Sequence, residues 1–362
     1  MKKHILPIIL ISFLLKWTTL FSQFHSEYFN TSIEKSVDSE KLMLNLNAAG
    51  FFHNNEFFGT DVEGYTLTGN YIQPSLIYSI SDDLRIGAGA HLLRYNGEEG
   101  FNEKFPMLSI MYKPMENLEI LLGSYNGGDN FLLPEALYAR ELNFTKLVNN
   151  GANIRFNNEN IYVQTWLDWE KFIEFGDPFR EEFSFGTHVS YNLLKKESYE
   201  LRIPLYFIAN HKGGQINFNN QPVETIADFS TGIEYSRKSD MTILDSLNFA
   251  SLIFLEKDIE SQESGAAFYL GTEVSKSILA TSIGYFHAKN WESVHGNPLM
   301  FAGDFNSEDT KNMILFKAGI GKKITEKSAF SLRFEGYYDI GINKFQYSYG
   351  LYLVVNEGIG LN

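Results

Sequence analysis

Apolar and polar residues alternate along most of the chain beyond residue 40. Leu84, Ile86, Ala88, Ala90 and Leu92 share one face, with Arg85, Gly87, Gly89 and His91 on the other. Phe183, Phe185, Thr187, Val189, Tyr191 and Leu193 do the same opposite Ser184, Gly186, His188, Ser190 and Asn192. Leu201 to Phe207, Phe330 to Tyr338 and Tyr347 to Val355 repeat the pattern. A period of two held over segments of about ten residues predicts strands with unlike faces. About sixteen such strands are predicted, over 42–52, 64–79, 84–95, 105–113, 117–125, 150–157, 160–171, 183–194, 199–208, 223–237, 242–256, 265–274, 278–288, 312–322, 328–339 and 346–355. In 242–256 and 312–322 both faces carry apolar residues, which blurs the alternation.

The connections separate a soluble sandwich from a membrane barrel. Every second one is short and polar, as at Ser81-Asp82-Asp83, Pro114-Met115-Glu116, Asn158-Glu159 and Ser275-Lys276-Ser277. Those between are mostly longer: 53–63, 96–104, 126–149, 172–182, 209–222, 257–264, 289–311 and 340–345. One tight rim and one looped rim is the arrangement of an outer-membrane barrel. The segments also exceed the roughly five or six residues usual for soluble strands. The expected fold is therefore all-β: a transmembrane antiparallel up-and-down β-barrel of about sixteen strands. Both chain ends fall on the tight-turn side, as an even strand number requires.

The N-terminus sets the expected compartment. Met1-Lys2-Lys3-His4 precedes an apolar run from Ile5 to Leu15, and Ser22-Gln23 follows. This predicts an export signal over 1–22, cleaved near Ser22. A polar segment 23–40, a periplasmic tail or partial plug, would lead into a barrel domain over 41–362. The composition agrees with such a chain: 20 Tyr and 31 Phe with only 20% charged residues is too aromatic and apolar for disorder. With Cys 0 there is no disulfide framework and no thiolate chemistry. A net charge of −14 excludes nucleic acid as a natural partner.

Signal, alternating strands, unequal connections and abundant aromatics together resemble the porin-type outer-membrane β-barrel proteins of Gram-negative bacteria. Many such barrels end on Phe; here the chain continues through Asn356 to Asn362. The resemblance implies the bacterial outer membrane as location, lipids and lipopolysaccharide as surroundings, and homo-oligomers as an option. It also implies passive diffusion of small hydrophilic solutes through a wet lumen. Alternation assigns Arg85, His91, Arg155, Arg202, Lys317 and Arg333 to that lumen. Asp168, Glu170, Glu234, Glu273 and Glu335 join them, so the two signs nearly balance. Such charges tune selectivity or pair across the lumen. Tyr78, Tyr112, Tyr125 and Tyr338, near strand ends, are expected at the lipid headgroup girdles.

Sixteen strands leave a bore unless something fills it. Segment 126–149 opens with the turn cluster Asn126-Gly127-Gly128-Asp129 and then spaces Leu132, Leu133, Leu137, Leu142 and Leu147 loosely as a helix, with Pro134 suited to a first turn. It either folds into the pore or lies over the outer mouth. A closed barrel serving as a saccharide-binding or envelope-assembly and export accessory protein is the alternative function.

The search for chemistry yields no catalytic, cofactor or metal residues, and the chain is expected not to be an enzyme. His188 and Ser190 share a strand face, as in the His-x-Ser set of outer-membrane phospholipase, but that face points to the lumen. Asp61 with Glu63, Glu98-Glu99 and Glu308-Asp309 lack the ligand spacing of a calcium loop. His53, His211, His287 and His295 are scattered. Trp166, with Phe57, Phe58 and Tyr138, could stack a sugar ring.

Overall fold

The computed structural model describes residues 42–58, 62–214, 222–238, 243–303 and 309–361. The expected leader, the 23–40 segment, Asp61 and Glu308 lie outside them. Sixteen strands follow one another: β1 (Leu42–Glu56), β2 (Thr66–Ser79), β3 (Leu84–Tyr95), β4 (Glu103–Met115), β5 (Leu118–Asn126), β6 (Val148–Asn157), β7 (Ile161–Lys171) and β8 (Glu182–Lys195). The second half comprises β9 (Tyr199–Lys212), β10 (Glu224–Lys238), β11 (Ser246–Asp258), β12 (Ser264–Lys276), β13 (Leu279–Lys289), β14 (Thr310–Thr325), β15 (Ser328–Asp339) and β16 (Lys344–Leu361). Each pairs antiparallel with its chain neighbours, and β16 closes on β1 from Leu42↔Leu361 to Glu56↔Tyr347. Closure leaves no unpaired edge, which spanning sheets require.

The sequence expectation differs chiefly at strand ends. β16 runs to Leu361, because the tail beyond Val355 pairs with the start of β1. The two segments with blurred alternation are β11 and β14, and the blur has a cause. Leu252 and Phe254 of β11, and Met313 and Leu315 of β14, point inward yet pack against apolar partners.

Those partners come from the β5–β6 connection, which folds into the lumen. It contains a short 3-10 turn, Gly128–Phe131, and one brief helix, α1 (Leu142–Thr145). A positive φ of 55° at Leu132 separates these turns from any continuous helix, so the helical spacing of its leucines is not used as a helix. Phe131, Leu133, Leu137 and Tyr138 pack with wall residues Trp166, Tyr206, Leu252 and Phe254, and with Trp291 and Leu299 of the β13–β14 connection. At the opposite wall Phe144 and Leu147 pack with Phe51, Tyr71 and Tyr352. The connection thus reaches from wall to wall. The outer surface is apolar in the reverse sense of a soluble core, with Leu108, Leu122 and Ile283 exposed.

Two glycines are required by the wall itself. At Gly123 φ is 103°, and a Cβ there would lie 2.1 Å from the Leu108 carbonyl oxygen of the adjacent β4. Gly186, the cross-strand partner of Trp166, has the indole lying over it, 2.0 Å from where a Cβ would sit. That position lets Trp166 stack on Phe131 at 4.0 Å with 9° between the planes.

Two aromatic expectations need correction. Tyr125 is not at a headgroup girdle: it shares the inward parity of Leu121, is buried, and donates to the Leu167 carbonyl at 2.8 Å. Trp166 and Tyr138 cannot form a sugar platform, because both are buried against the plug core. Tyr78 and Tyr112 are exposed on the outer face.

Phe131→Ala should loosen the plug by about 3–5 kcal/mol of packing. Limited proteolysis of detergent-folded protein would then cut within 126–149 much faster than in wild type while the barrel stays resistant. Equal cutting rates would contradict the packing.

Candidate functional site

Three polar clusters form where the plug meets the wall. The first lies at the outer end of β1 and β2. The Asn54 amide donates to Glu56 at 2.8 Å, and the Thr66 hydroxyl donates to the Asn54 carbonyl oxygen. The Asn55 amide donates to Glu141, the residue before α1, at 3.4 Å, and the Asn55 backbone N–H donates to the Tyr65 carbonyl at 2.9 Å. His53 Nδ1 lies 2.8 Å from the Tyr352 hydroxyl. Consecutive residues on a strand face opposite ways, so Asn54, Glu56 and Thr66 share the outward side and His53 and Asn55 the inward side. Tyr65 and Thr66 are exposed, and Glu56 and Glu141 are half-buried. Partial burial of its hydroxyl end, and a hydrogen bond to the Glu141 carboxylate, push the Tyr65 hydroxyl well up although the residue as a whole is exposed, so it stays protonated. Two carboxylates, three amide or hydroxyl donors and an imidazole thus lie at the outer end of these strands, divided between the two sides of β1, with both asparagines buried.

The second cluster is closed. Ser184 on β8 donates to Glu170 at 2.5 Å and lies 2.8 Å from His295 Nε2, while the Asn210 amide donates to its oxygen at 3.1 Å. Lys146 of the plug sits 2.7 Å from Glu170 and 3.4 Å from Asp168. A hydroxyl, an imidazole and a carboxylate meet here. The hydroxyl is only 2% exposed and fully engaged, and its carboxylate is already paired with an ammonium. The set fastens the plug and the β13–β14 connection to the wall.

The third is deeper. Glu135 of the plug bonds to Lys317, accepts from the Tyr337 hydroxyl at 2.7 Å, and accepts from Asn297 at 2.6 Å. Arg140 reaches Glu335 at 3.6 Å. Below it lies a cavity roofed by Asp129, Glu135 and Arg140 and walled by Arg202, Glu234 and Glu273, among others.

The residues assigned to the lumen by alternation are placed as follows. Asp168, Glu170, Lys317 and Glu335 join the clusters just described. Arg202 pairs with Glu234 at 3.4 Å, and Glu273 lines the cavity. Arg155 pairs with Glu119 at 2.6 Å. His91 bonds to Gln73 at 2.9 Å and lies 3.6 Å from Glu103. Arg333 lies over the Tyr352 ring at 5.4 Å, and Arg85 is half-buried near the tight-turn rim. His188 packs its ring between Tyr162 and Tyr206. No three carboxylate or imidazole groups converge as metal ligands among the described residues. Sequence reasoning missed Asn54, Glu56, Thr66, Glu135, Arg140 and Glu141. The only signal for the rim set was the polar run His53-Asn54-Asn55-Glu56, interrupting a strand that had alternated until then.

The fold defines a closed sixteen-stranded outer-membrane barrel of the porin type. It is similar to OprD from Pseudomonas aeruginosa (TM-score 0.51, 8% identity, covering 91% of this chain and 96% of that one). It is also similar to a BenF-like porin from Pseudomonas fluorescens Pf-5 (TM-score 0.53, 7% identity, 89% and 100%). A loop-deleted OmpT of Vibrio cholerae matches comparably (TM-score 0.52, 8% identity, 88% and 100%). At such identity the likeness is one of fold. No curated protein matches the sequence. The chain belongs to the lipid A 3'-O-deacylase-type family, whose sequence model matches residues 33–362. This membership overturns the expectation that the chain is not an enzyme, since the family is described by a deacylase activity. No nucleophile or metal motif in the sequence pointed there, because the rim set is assembled from three separated segments.

Lys317→Met alone should cost about 3–5 kcal/mol, because it leaves the largely buried Glu135 without its cation, while Glu335 keeps Arg140. The double variant Lys317→Met with Glu135→Gln should recover part of that. The temperature at which the folded band converts on a semi-native gel reads both; an unchanged single variant would contradict the arrangement.

Proposed function

We propose that this chain is an outer-membrane enzyme that hydrolyses an acyl ester of lipid A-type glycolipid in the outer leaflet, with water as nucleophile. One observation carries the reading: two asparagine-held carboxylates flank the outer end of β1, Glu56 with Thr66 on its outward side through Asn54 and Glu141 of the plug on its inward side through Asn55. Family membership supports the substrate class. The outer rim is where the acyl esters of such a lipid lie, and the outward parity of Asn54, Glu56 and Thr66 turns that part of the set toward them.

In this reading a carboxylate takes a proton from water and the resulting hydroxide adds to the ester carbonyl. The Asn54 amide and the Thr66 hydroxyl, on the outward side, are the donors offered to the developing oxyanion, while the Asn55 amide holds Glu141 on the inward side. Collapse expels the sugar oxygen, which recovers the proton, leaving a free acid and a sugar hydroxyl. Glu141 comes from the plug, so the plug is part of the site as well as the filling of the bore.

Passive diffusion of small hydrophilic solutes is the second reading, favoured by the porin-type barrel and the cavity beneath the plug. The wall-to-wall core through the lumen weighs against it.

Mass spectra of lipid A from a Gram-negative host expressing the protein should show a species lacking one acyl chain. Glu56→Gln and Glu141→Gln should each slow its formation by about a hundredfold or more, the range for removing a general base. Unaltered lipid A in cells that carry the folded barrel would sink the proposal.

A further inference from the structure

A separate site lies on the far side of the lumen, between β10, β11 and the β13–β14 connection. Asp228 and Glu256 are direct cross-strand partners on the inward face. Like charges directly opposite each other are destabilising, and Asp228 is only 1% exposed. Neither carboxylate has an ammonium or guanidinium partner among the described residues. Glu256 accepts from the Glu292 backbone N–H at 2.8 Å. Asp228 Oδ2 accepts from the Ser293 hydroxyl at 2.6 Å, but its Oδ1 has no partner among the described residues.

Asp228 Oδ1 is not alone. The Ser230 hydroxyl, two residues along the same inward face, is also buried without a partner. So is the indole N–H of Trp291, which is fully buried against Phe254, the cross-strand partner of Ser230. Three orphaned polar atoms around two opposed carboxylates are costly when dry, since an unpaired buried carboxylate is far from its preferred solvation.

We propose that this pocket is a divalent-cation site, with Asp228 and Glu256 as carboxylate ligands and the Ser230 hydroxyl as a neutral one. A hard cation such as Ca²⁺ takes oxygen ligands and tolerates water among them. It cancels the cross-strand repulsion and occupies Asp228 Oδ1, and a water on it accepts the Trp291 N–H. Among the described residues no third carboxylate or imidazole joins these two as a ligand set, although Glu292 lies close by through its backbone N–H on Glu256, so hydroxyl and water complete the shell. The ion fastens the β13–β14 connection, and with it the plug, to the wall. The inference is independent of the deacylase reading.

Trp291 supplies the test. Full-length protein, folded in detergent without lipopolysaccharide and stripped by a chelator, is titrated with Tb³⁺ while tryptophan is excited. The expected result is saturable sensitised luminescence that Ca²⁺ displaces. Asp228→Asn and Glu256→Gln should each weaken binding by at least about tenfold, as loss of a ligand or its support does. The outer-loop control Glu98→Gln should not. Ca²⁺ should also raise the melting temperature of wild type but not of the two variants. If Asp228→Asn fails to fold, Glu256→Gln and Ser230→Ala carry the same comparison. Absence of a saturable signal, equal binding by the variants, or Asp228→Asn melting higher than wild type with no response to Ca²⁺ would each overturn the proposal.

Discussion

A sixteen-stranded barrel is wider than its own wall side chains can fill. That constraint organises everything inside this molecule. The wall lends apolar inward residues, Trp166, Leu252, Phe254, Met313 and Leu315 among them, to a core that the β5–β6 and β13–β14 connections complete, with Phe57 and Val62 of the β1–β2 connection packed against it. The Phe131–Trp166 stack over Gly186, with ring centroids 4.0 Å apart, is one of these contacts. The lumen therefore has a folded interior, covered outside by the apolar band that faces lipid.

Charge serves the same end. Lys146, Arg140 and Glu135 of the plug each find opposite charges on the wall, and these pairs sit in partly or fully dehydrated surroundings. Pairs of this kind fix geometry more than they add stability. They set where Glu141 stands relative to β1 and β2, and so couple the filling of the bore to the composition of the outer rim. A porin-type wall and an enzyme family name are compatible on this view. The wall is what this chain has in common with the similar porin-type structures.

The barrel was legible in the sequence because lipid on one side and a polar or packed interior on the other impose a period of two, strand after strand. Unequal connections then oriented it. Strand ends were less legible, as β16 shows, because pairing of Asn356 to Leu361 with β1 is a long-range event that leaves no local mark. The plug was visible only as a segment of suspicious length, and its turns follow the shape of the lumen and not the spacing of its leucines. The rim set was illegible for a further reason. Asn54, Thr66 and Glu141 are ordinary polar residues until β1–β2 pairing joins the first two and the plug sets Glu141 against Asn55. Conversely, His188 and Ser190 carry a suggestive spacing, yet the His188 ring is occupied by Tyr162 and Tyr206.

The central claim is that the plug closes the barrel and completes its outer rim. Single-channel recording in a planar bilayer tests it most directly, comparing full-length protein with a variant in which residues 130–145 are replaced by a short flexible linker. The account predicts a silent wild-type protein and steady conductance once the segment is removed, the wall itself remaining folded. Steady conductance of the intact protein, equal to that of the variant, would contradict it.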